Sequence, residues 1–410
     1  MRDALVLGAG MVGVGTALAL QAQGFAVTLV DKSAPGRETS FGNAGIIQVE
    51  AVEPYELPRD PRKLARFALG LDNAVNYHPL ALPAMVGPLW RYFLNSAPAR
   101  HRAVSQHYAR LVQRSLGDHA PLIAASGAEG LIQRKGYRQA YRTQKSFAAA
   151  VHHAARLQAE YSVQVDMLDS AALARAEPAL LRPLTGALHW TQSWTSADPG
   201  ALVAAYARLF ESRGGHVQTA DALSLARSGS GWAIGKGSER IEAAHAVVAL
   251  GPWSPRLLRA FGLSIPMLGK RGYHRHFRLD RPLSMPLYDT ANAAVLCPMA
   301  QGLRITSGAE LARMDAPATP RQLMKAEVGA RQLLALGQAV EDKPWIGVRP
   351  CMPDMLPVIG PVPGHAGLWA NFGHGHQGFT LGPTTGTLLA AAMAGSGPPV
   401  DAVFSPARWC

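Results

Sequence analysis

Residues 4–32 decide the fold, and they read ALVLGAGMVGVGTALALQAQGFAVTLVDK. A short apolar run over 4–7 is followed by the spacing G-x-G-x-x-G and by a helical stretch from Met11 to Gln23. A second apolar run over 26–30 ends at Asp31. This order predicts a strand, a tight turn, a helix and a second strand, which together form the unit that binds a dinucleotide. The helix N-terminus would face the pyrophosphate, and Asp31 would accept hydrogen bonds from a ribose.

Each glycine of this spacing has its own mechanical task. Gly8 permits the tight turn, Gly10 lets the backbone approach a pyrophosphate, and Gly13 lets the helix pack closely on the strand. The acid at Asp31 disfavours a 2′-phosphate, so NADP is not expected. The alternative at this point is a glycine-rich turn in an ordinary α/β unit that binds no dinucleotide.

The composition predicts a globular protein with a basic surface. The chain has 410 residues, 48% of them hydrophobic, which is enough for two domains. A net charge of +12 favours anionic partners, but no nucleic-acid-binding module is recognisable. From Arg91 to Lys145 ten basic residues stand against two acidic ones. That stretch is open to two interpretations: solvated faces, or peripheral contact with an anionic membrane.

The cysteines and the N-terminus indicate the compartment. Three cysteines lie far apart without metal-ligand spacing, which favours a reducing compartment and argues against disulfides or a zinc site. Neither a signal peptide nor a spanning apolar run is recognised. We therefore expect a cytoplasmic protein, with peripheral contact to the inner membrane face as the alternative. The pair His374 and His376 has no third ligand nearby, so no metal is expected.

The loop after the second strand separates FAD from NAD. Residues 38–45, ETSFGNAG, form a polar glycine-rich loop where an NAD-type unit would continue with another crossover helix. This loop resembles that of the D-amino-acid dehydrogenase branch of the DAO-type FAD-dependent amine and amino-acid oxidoreductases. In that family a T-S-x-x-N-A-G loop runs along the pyrophosphate towards the flavin. Some relatives attach FAD through a histidine at the position of Gly42, so the resemblance implies a non-covalent FAD here.

Two further segments resemble the substrate side of that family. RGYH at 271–274 is similar to a strand motif that lines the substrate cavity. Because neighbours on a strand alternate, at most one of Tyr273 and His274 points squarely into the cavity. The segment WIGVRPCMPDMLPVIGPVP at 345–363 is similar to a proline-stiffened loop, which implies that Arg349 binds the α-carboxylate of an amino acid. The planar fork of arginine suits a carboxylate because it donates two parallel hydrogen bonds.

A glycine-rich segment near the end of the chain completes the resemblance. Residues 373–382 read GHGHQGFTLG and precede a small apolar helix that we expect to start at about Gln377 or Gly378. The positive end of that helix would face the flavin edge that becomes negative on reduction. The resemblance implies that His376 lies along the flavin through its backbone and that His374 borders the substrate.

The predicted fold class is α/β, in an α+β arrangement overall. A Rossmann-like FAD-binding domain would be interleaved along the chain with a substrate domain built on a mixed antiparallel sheet. The FAD-binding domain is assigned to residues 1–60, 185–258 and 340–410. The substrate or cap domain is assigned largely to 61–184 and 259–339.

The resemblance also assigns the cofactor-binding residues. A strand around Val217 would meet the adenine, and VALGPWS at 248–254 would stop beside the phosphates. The residues predicted to bind FAD are Gly8, Ala9, Gly10, Met11, Val12, Gly13, Asp31, Lys32, Ser33, Thr39, Ser40, Asn43, Ala44, Gly45, Ile46, Val217, Leu250, Gly251, Trp253, Gly347, Gly375, His376, Gln377, Gly378, Phe379 and Thr380. Those predicted to bind substrate are Arg349, Tyr273, His274 and His374.

The activity implied is oxidative deamination of D-amino acids to 2-oxo acids by hydride transfer to FAD, with electrons passed to a quinone or another carrier. No catalytic side chain is predicted, because no base is required if the amine loses its proton on binding. A D-hydroxyproline or D-proline type of imino acid dehydrogenase is one alternative, and a sarcosine or glycine oxidase is another. The first 32 residues alone would also allow an NAD-linked dehydrogenase.

Overall fold

The computed structural model describes residues 2–235, 237 and 240–410. Within them the α-helices are α1 (Met11–Ala22), α2 (Pro61–Ala68), α3 (Leu82–Asn95), α4 (Pro98–Ala125), α5 (Gln144–Tyr161), α6 (Ser170–Ala176), α7 (Pro199–Ser212), α8 (Ser254–Arg259), α9 (Arg321–Arg331) and α10 (Gly378–Ala394). The strands are β1 (Asp3–Leu7), β2 (Ala26–Asp31), β3 (Ile46–Ile47), β4 (Val75–Tyr77), β5 (Ile132–Gln133), β6 (Tyr137–Tyr141), β7 (Val165–Asp169), β8 (Gly186–Trp190), β9 (Trp194–Ser196), β10 (His216–Thr219), β11 (Ala226–Ser228), β12 (Gly231–Ile234), β13 (Ile241–Ala243), β14 (His245–Val248), β15 (Leu268–Leu279), β16 (Leu287–Asp289), β17 (Ala294–Met299), β18 (Gly302–Thr306), β19 (Ala309–Leu311), β20 (Leu336–Ala339), β21 (Trp345–Cys351), β22 (Val358–Pro361) and β23 (Leu368–Phe372).

One sheet carries the predicted nucleotide-binding unit. Its strand order is β10–β2–β1–β14–β23–β22, and all neighbours are parallel except the last pair. The predicted strand, helix and strand are confirmed, and α1 begins at Met11. Because parallel strands end at a common edge, the segments after β1, β2, β14 and β23 meet there.

Glycines bring α1 and α10 together. A Cβ added at Gly15 would stand 3.0 Å from the carbonyl carbon of Gly382, and one at Gly386 would stand 2.8 Å from Gly15. The two helices therefore run in parallel with their backbones in contact, which explains why α10 is rich in small residues. The predicted start of α10 is confirmed, since Gln377 is its N-cap and Gly378 its first residue.

A second, larger sheet has the order β4–β19–β15–β18–β17–β16–β6–β8–β7, and both β20 and β21 also pair with β15. It is mostly antiparallel, as predicted for the substrate side. Helix α9 ends at Arg331, and the chain then continues into β20.

The division into domains stays a prediction. Strands β8 and β21 hydrogen-bond within the larger sheet, although residues 185–258 and 340–410 were assigned to the FAD-binding domain. The chain therefore crosses between the two sheets inside segments that sequence patterns had assigned to one domain.

Candidate active site

A cavity of about 410 Å³ is lined by residues of both large sheets and of the loops between them. The predicted residues that line it are Gly8, Gly10, Met11, Val12, Asp31, Lys32, Thr39, Ser40, Asn43, Leu250, Gly251, Trp253, Tyr273, Gly347, Arg349, His374, Gly375, His376, Gly378 and Phe379. The predicted residues outside this lining are Ala9, Gly13, Ser33, Ala44, Gly45, Ile46, Val217, His274, Gln377 and Thr380.

The turn after β1 needs its glycines for steric reasons. Gly8 has a φ of 109°, and a Cβ there would stand 2.5 Å from the carbonyl oxygen of Ala249. A Cβ at Gly13 would stand 1.7 Å from the carbonyl oxygen of Gly8, so any side chain would push α1 off the turn. Gly10 lies at the cavity wall, where only the Ser40 hydroxyl comes close to an added Cβ.

Two helices begin at the cavity without a side-chain cap. Neither Gly10 before α1 nor Gln377 before α10 caps its helix, and neither first turn contains an acid. The Met11 N–H donates to the Ser40 hydroxyl at 3.0 Å. The Asp31 carboxylate accepts from the Ala9 N–H at 2.7 Å at the mouth of the same turn. Two positive helix ends and a bare glycine backbone fit a ligand with a pyrophosphate and a second electron-rich group, as a flavin dinucleotide has.

The loop over 39–45 is held from the larger sheet by Arg304. Its Nη1 donates to the carbonyl oxygens of Phe41 at 2.9 Å and Asn43 at 2.6 Å. Its Nε donates to His276 Nε2 at 2.9 Å, and His276 Nδ1 bonds to Glu341. Burial and the Arg304 charge lower the pKa of His276, so a neutral ring that donates from Nδ1 and accepts at Nε2 satisfies both partners. Sequence patterns did not predict this anchor, since Arg304 lies far from the loop along the chain.

Trp345 forms a wall of the cavity next to two glycines. A Cβ at Gly42 would stand 1.8 Å from its ring, and one at Gly347 would stand 2.0 Å from it. The ring stacks on His274, with centroids 4.8 Å apart. Burial, together with Arg304 and His276, lowers the pKa of His274 to about 2. His274 is thus a neutral ring behind Trp345, and the geometry favours Trp345 as the residue that meets a ligand here.

The hydroxyl of Tyr273 is engaged in a buried polar cluster. It donates to Glu310 at 2.7 Å and accepts from Arg271 at 2.7 Å and from the Thr319 N–H at 2.9 Å. Tyr273 and His274 therefore face opposite sides of β15, as the alternation predicts. Tyr273 lines the cavity, but its hydroxyl has no free capacity to bind a substrate.

Arg349 places a guanidinium in the cavity. It lies over Gly272, where an added Cβ would stand 2.6 Å from Nη1. Its Nη1 donates to the Gly308 carbonyl and its Nη2 to the Ser307 carbonyl, both at 3.2 Å. Carbonyl oxygens orient the group without neutralising its charge, so the guanidinium suits an anionic ligand.

The two histidines of the glycine-rich segment have different surroundings. His374 Nε2 lies 2.9 Å from the Thr385 hydroxyl, and burial lowers its pKa to about 3. The His376 ring lies 4.9 Å from the Tyr55 ring. Burial, and then the charges of Arg349 and Lys270, hold the pKa of His376 well below its ordinary value. Both rings are neutral at physiological pH, and both line the cavity.

Several lining residues were missed by sequence reasoning. Val217 lies in β10, but the lining comes from the turn after that strand, at Asp221–Leu223. Arg256 also lines the cavity and follows VALGPWS by two residues, so that motif could have indicated it. The remaining missed residues include Glu38, Trp345, Asn371 and Phe372.

Comparisons with known proteins agree on the family. Residues 3–392 match the family model of the FAD dependent oxidoreductases (DAO). The D-amino acid dehydrogenase of Chromohalobacter salexigens is 28% identical over 97% of both chains, and that of Cereibacter sphaeroides is 30% identical over 97% of this chain and 93% of its own. The structure of glycine oxidase from Geobacillus kaustophilus has the same fold, with a TM-score of 0.75 at 20% identity over 100% of this chain and 99% of that one. L-Proline dehydrogenase from P. horikoshii matches with a TM-score of 0.72 at 15% identity over 99% and 97% of the two chains. The chain therefore belongs to the family of FAD-dependent oxidoreductases.

Proposed function

We propose that the protein is a flavin-dependent dehydrogenase that oxidises D-amino acids to 2-oxo acids and ammonia. The observation that carries the proposal is the guanidinium of Arg349, which only carbonyl oxygens orient and which lies in the same cavity as two helix N-termini. The relatives named D-amino acid dehydrogenase support the choice of substrate class. When bound, FAD accepts the hydride from the carbon that carries the amine.

The residues that would hold FAD follow from the turn and the two helix ends. The backbone at Gly10, before the start of α1, would bind the pyrophosphate, Asp31 the ribose, and the start of α10 the flavin edge. The attachment is proposed to be non-covalent, because Gly42, at the position where some relatives carry the attaching histidine, offers no side chain and Trp345 fills the space beside it. Acid precipitation should then release all the flavin into the supernatant.

Arg349 would bind the substrate carboxylate and so fix the position of the α-carbon. His374 and His376 are weak bases, because burial holds their pKa values far below the ordinary range. The amine would therefore bind in its neutral form, because neither histidine can take up its proton at neutral pH.

An anaerobic substrate panel tests the proposal. D-Amino acids should bleach the flavin of the wild type, and bleaching by sarcosine or glycine alone would contradict the proposal. Bleaching by D-proline alone would favour the imino acid alternative. Arg349→Met should lower kcat/KM about 100-fold or more, because two charge-assisted hydrogen bonds are lost. Arg208→Met, which removes an exposed arginine of α7, is the matched control.

We also propose that the electrons reach a quinone or another carrier at an anionic membrane surface. Support comes from apolar side chains exposed over residues 69–94, where Leu80 is 95% and Trp90 59% exposed. Val86, Trp90 and Leu94 recur every four residues and share one face of α3. No helix among the described residues has the length and apolar character to span a bilayer.

The basic stretch from Arg91 to Lys145 contributes less to such a surface than its composition suggests. Arg138 forms a buried ion pair with Glu177 at 3.0 Å, and Arg142 pairs with Asp289 at 2.5 Å. These cations are paired with carboxylates of the protein and are unavailable to lipid.

The cations of α2 are better placed for an anionic surface. Arg62, Lys63 and Arg66 are exposed, and Arg59 ties the start of this segment to α3 through the Phe93 carbonyl at 2.6 Å. Flotation with phosphatidylglycerol vesicles should recover the wild type at low salt and lose it at high salt or with phosphatidylcholine.

A double variant tests the apolar part of this surface. Leu80→Ser/Trp90→Ser should abolish flotation, and Met324→Ser, at another exposed apolar position, should float normally. Equal flotation of the double variant and the wild type would rule out the surface.

A further inference from the structure

Lys270 lies directly opposite Arg349 in the pairing of β15 with β21. Directly opposite residues of an antiparallel pair project to the same face of the sheet, with Cβ atoms about 5 Å apart. Like charges in that relation destabilise a sheet unless an anion lies between them. Sequence motifs did not single out Lys270, which precedes the RGYH motif by one residue.

Neither cation is neutralised by the protein. Within the part of the chain that the structure describes, neither Lys270 nor Arg349 makes an ion pair with Asp or Glu. Lys270 Nζ donates to the Tyr92 hydroxyl at 3.2 Å and lies 4.3 Å from the centroid of the same ring. The Tyr92 hydroxyl in turn donates to the Tyr55 carbonyl. One neutral acceptor leaves two N–H donors of the ammonium available.

Lys270 lies in a small cavity that adjoins the large one. This side cavity has a volume of about 30 Å³ and is lined by Lys270, Tyr92 and Cys351, among others. The segment Gly373–His376 lines both cavities, so the two cavities are neighbours. The volume is about one water molecule's share of liquid water, which suits a terminal polar group and not a ring.

The surrounding titratable groups leave the positive charge uncompensated. The pKa of Lys270 lies above its ordinary value, although burial by itself would lower it, so the ammonium keeps its charge. Burial raises the pKa of the Cys351 thiol, which therefore carries no charge at neutral pH. His376 is neutral for the reasons given above, so the pair Lys270 and Arg349 presents two positive charges.

We propose that Lys270 and Arg349 form a dicationic substrate site and that the preferred substrate carries a second carboxylate on its side chain, as D-aspartate and D-glutamate do. Arg349 binds the α-carboxylate, as in the proposed function on which this inference rests, and Lys270 binds the distal one. The planar guanidinium of Arg349 can donate two parallel hydrogen bonds to one carboxylate. The compact ammonium of Lys270 can donate to a terminal oxygen within a narrow space.

A binding experiment tests the site without turnover. Glutarate and its monoamide, glutaramate, are titrated into the FAD-loaded protein, with flavin absorbance and calorimetry as readouts. Glutarate should bind about tenfold more tightly, because a charge-assisted contact to Lys270 is gained. Lys270→Met and Lys270→Gln should remove the preference, Lys270→Arg should retain it, and Lys325→Met, at an exposed position of α9, should not change it.

Turnover separates this inference from the proposed function. The ratio of kcat/KM for D-glutamate over D-glutamine should exceed one in the wild type and collapse in Lys270→Met. Equal binding of glutarate and glutaramate, or a ratio that Lys270→Met leaves unchanged, overturns the dicationic site. If the dicationic site fails this test but neutral D-amino acids still bleach the flavin, the proposed function is retained. A glutarate preference without bleaching by any D-amino acid supports the site and refutes the proposed function.

Discussion

Replacement of Gly42 by alanine tests how the cavity wall is packed. The added Cβ would stand 1.8 Å from Cζ3 and 2.1 Å from Cη2 of Trp345. Carbon atoms that are not bonded pack at about 3.5–4.0 Å, so the ring must move by about 1.5 Å or more. That movement separates it from His274, on which it stacks with an angle of 18° between the rings.

The expected penalty follows from those contacts. Overpacking destabilises a well-packed site by about 1–3 kcal/mol. About 0.5–1.5 kcal/mol of that penalty would come from the lost stack between the indole and His274. Because Gly42 and Trp345 both line the cavity, part of the loss should appear as weaker FAD binding, by roughly tenfold for each 1.4 kcal/mol.

The assay combines melting temperature with an FAD dissociation constant from flavin fluorescence. A double-mutant cycle with Trp345→Leu should show that the Gly42→Ala penalty shrinks by about 1 kcal/mol or more once the indole is gone. Gly117→Ala is the control, since Gly117 lies inside α4 with open space around it and should be neutral or stabilising. An unchanged melting temperature and FAD affinity in Gly42→Ala, or the same penalty in both backgrounds, would refute the packing argument.

Three further predictions concern acid stability, the cofactor loop and the cofactor itself. Burial lowers the pKa of His119 to about 4, that of His374 to about 3 and that of His274 to about 2. In the unfolded chain a histidine has a pKa of about 6.5, so below that pH the unfolded chain binds more protons than the folded protein. The free energy of unfolding should therefore fall as the pH drops below about 6.5. In denaturant titrations at pH 5 and 6, His119→Gln should reduce the slope of the free energy of unfolding against pH by an amount that corresponds to about one proton. Arg304→Met should weaken FAD binding at least about tenfold by releasing the loop over 39–45, and Arg304→Lys should weaken it less. Titration of the flavin fluorescence would measure both FAD affinities. Removal of FAD should lower the melting temperature and re-addition should restore it, with a shift that grows with the logarithm of the free FAD concentration.

The nucleotide-binding half was predictable because its signals are local. Strand, glycine turn, helix and acid follow one another within residues 4–32, and each has a steric or electrostatic reason that needs no distant partner. The start of α10 was predictable for the same reason, since the glycines precede a run of small and apolar residues without any charge. Gly13 shows how strict such a rule is, because no side chain fits between α1 and the Gly8 carbonyl.

The substrate side was less predictable because its contacts are long-range. Alternation correctly separated Tyr273 from His274, but it did not indicate that Glu310 and Arg271 occupy the tyrosine hydroxyl. It also did not indicate that Trp345 covers His274. Both outcomes depend on the register of β15 with strands that follow it by many residues, which no local pattern specifies.

One face of β15 organises the site, and its register connects the proposals. Along this face Lys270 lies opposite Arg349, His274 lies opposite Trp345, and His276 lies opposite Arg304. The three pairs supply, in order, the proposed substrate cations, the aromatic wall and the anchor of the cofactor loop. A shift of the strand by one residue would turn all of these side chains to the opposite face, where Tyr273 and its buried cluster now lie. The dense polar network around Glu310 on that opposite face therefore serves the active site indirectly, because it holds β15 in the register that places Arg349 at the large cavity and Lys270 at the side cavity.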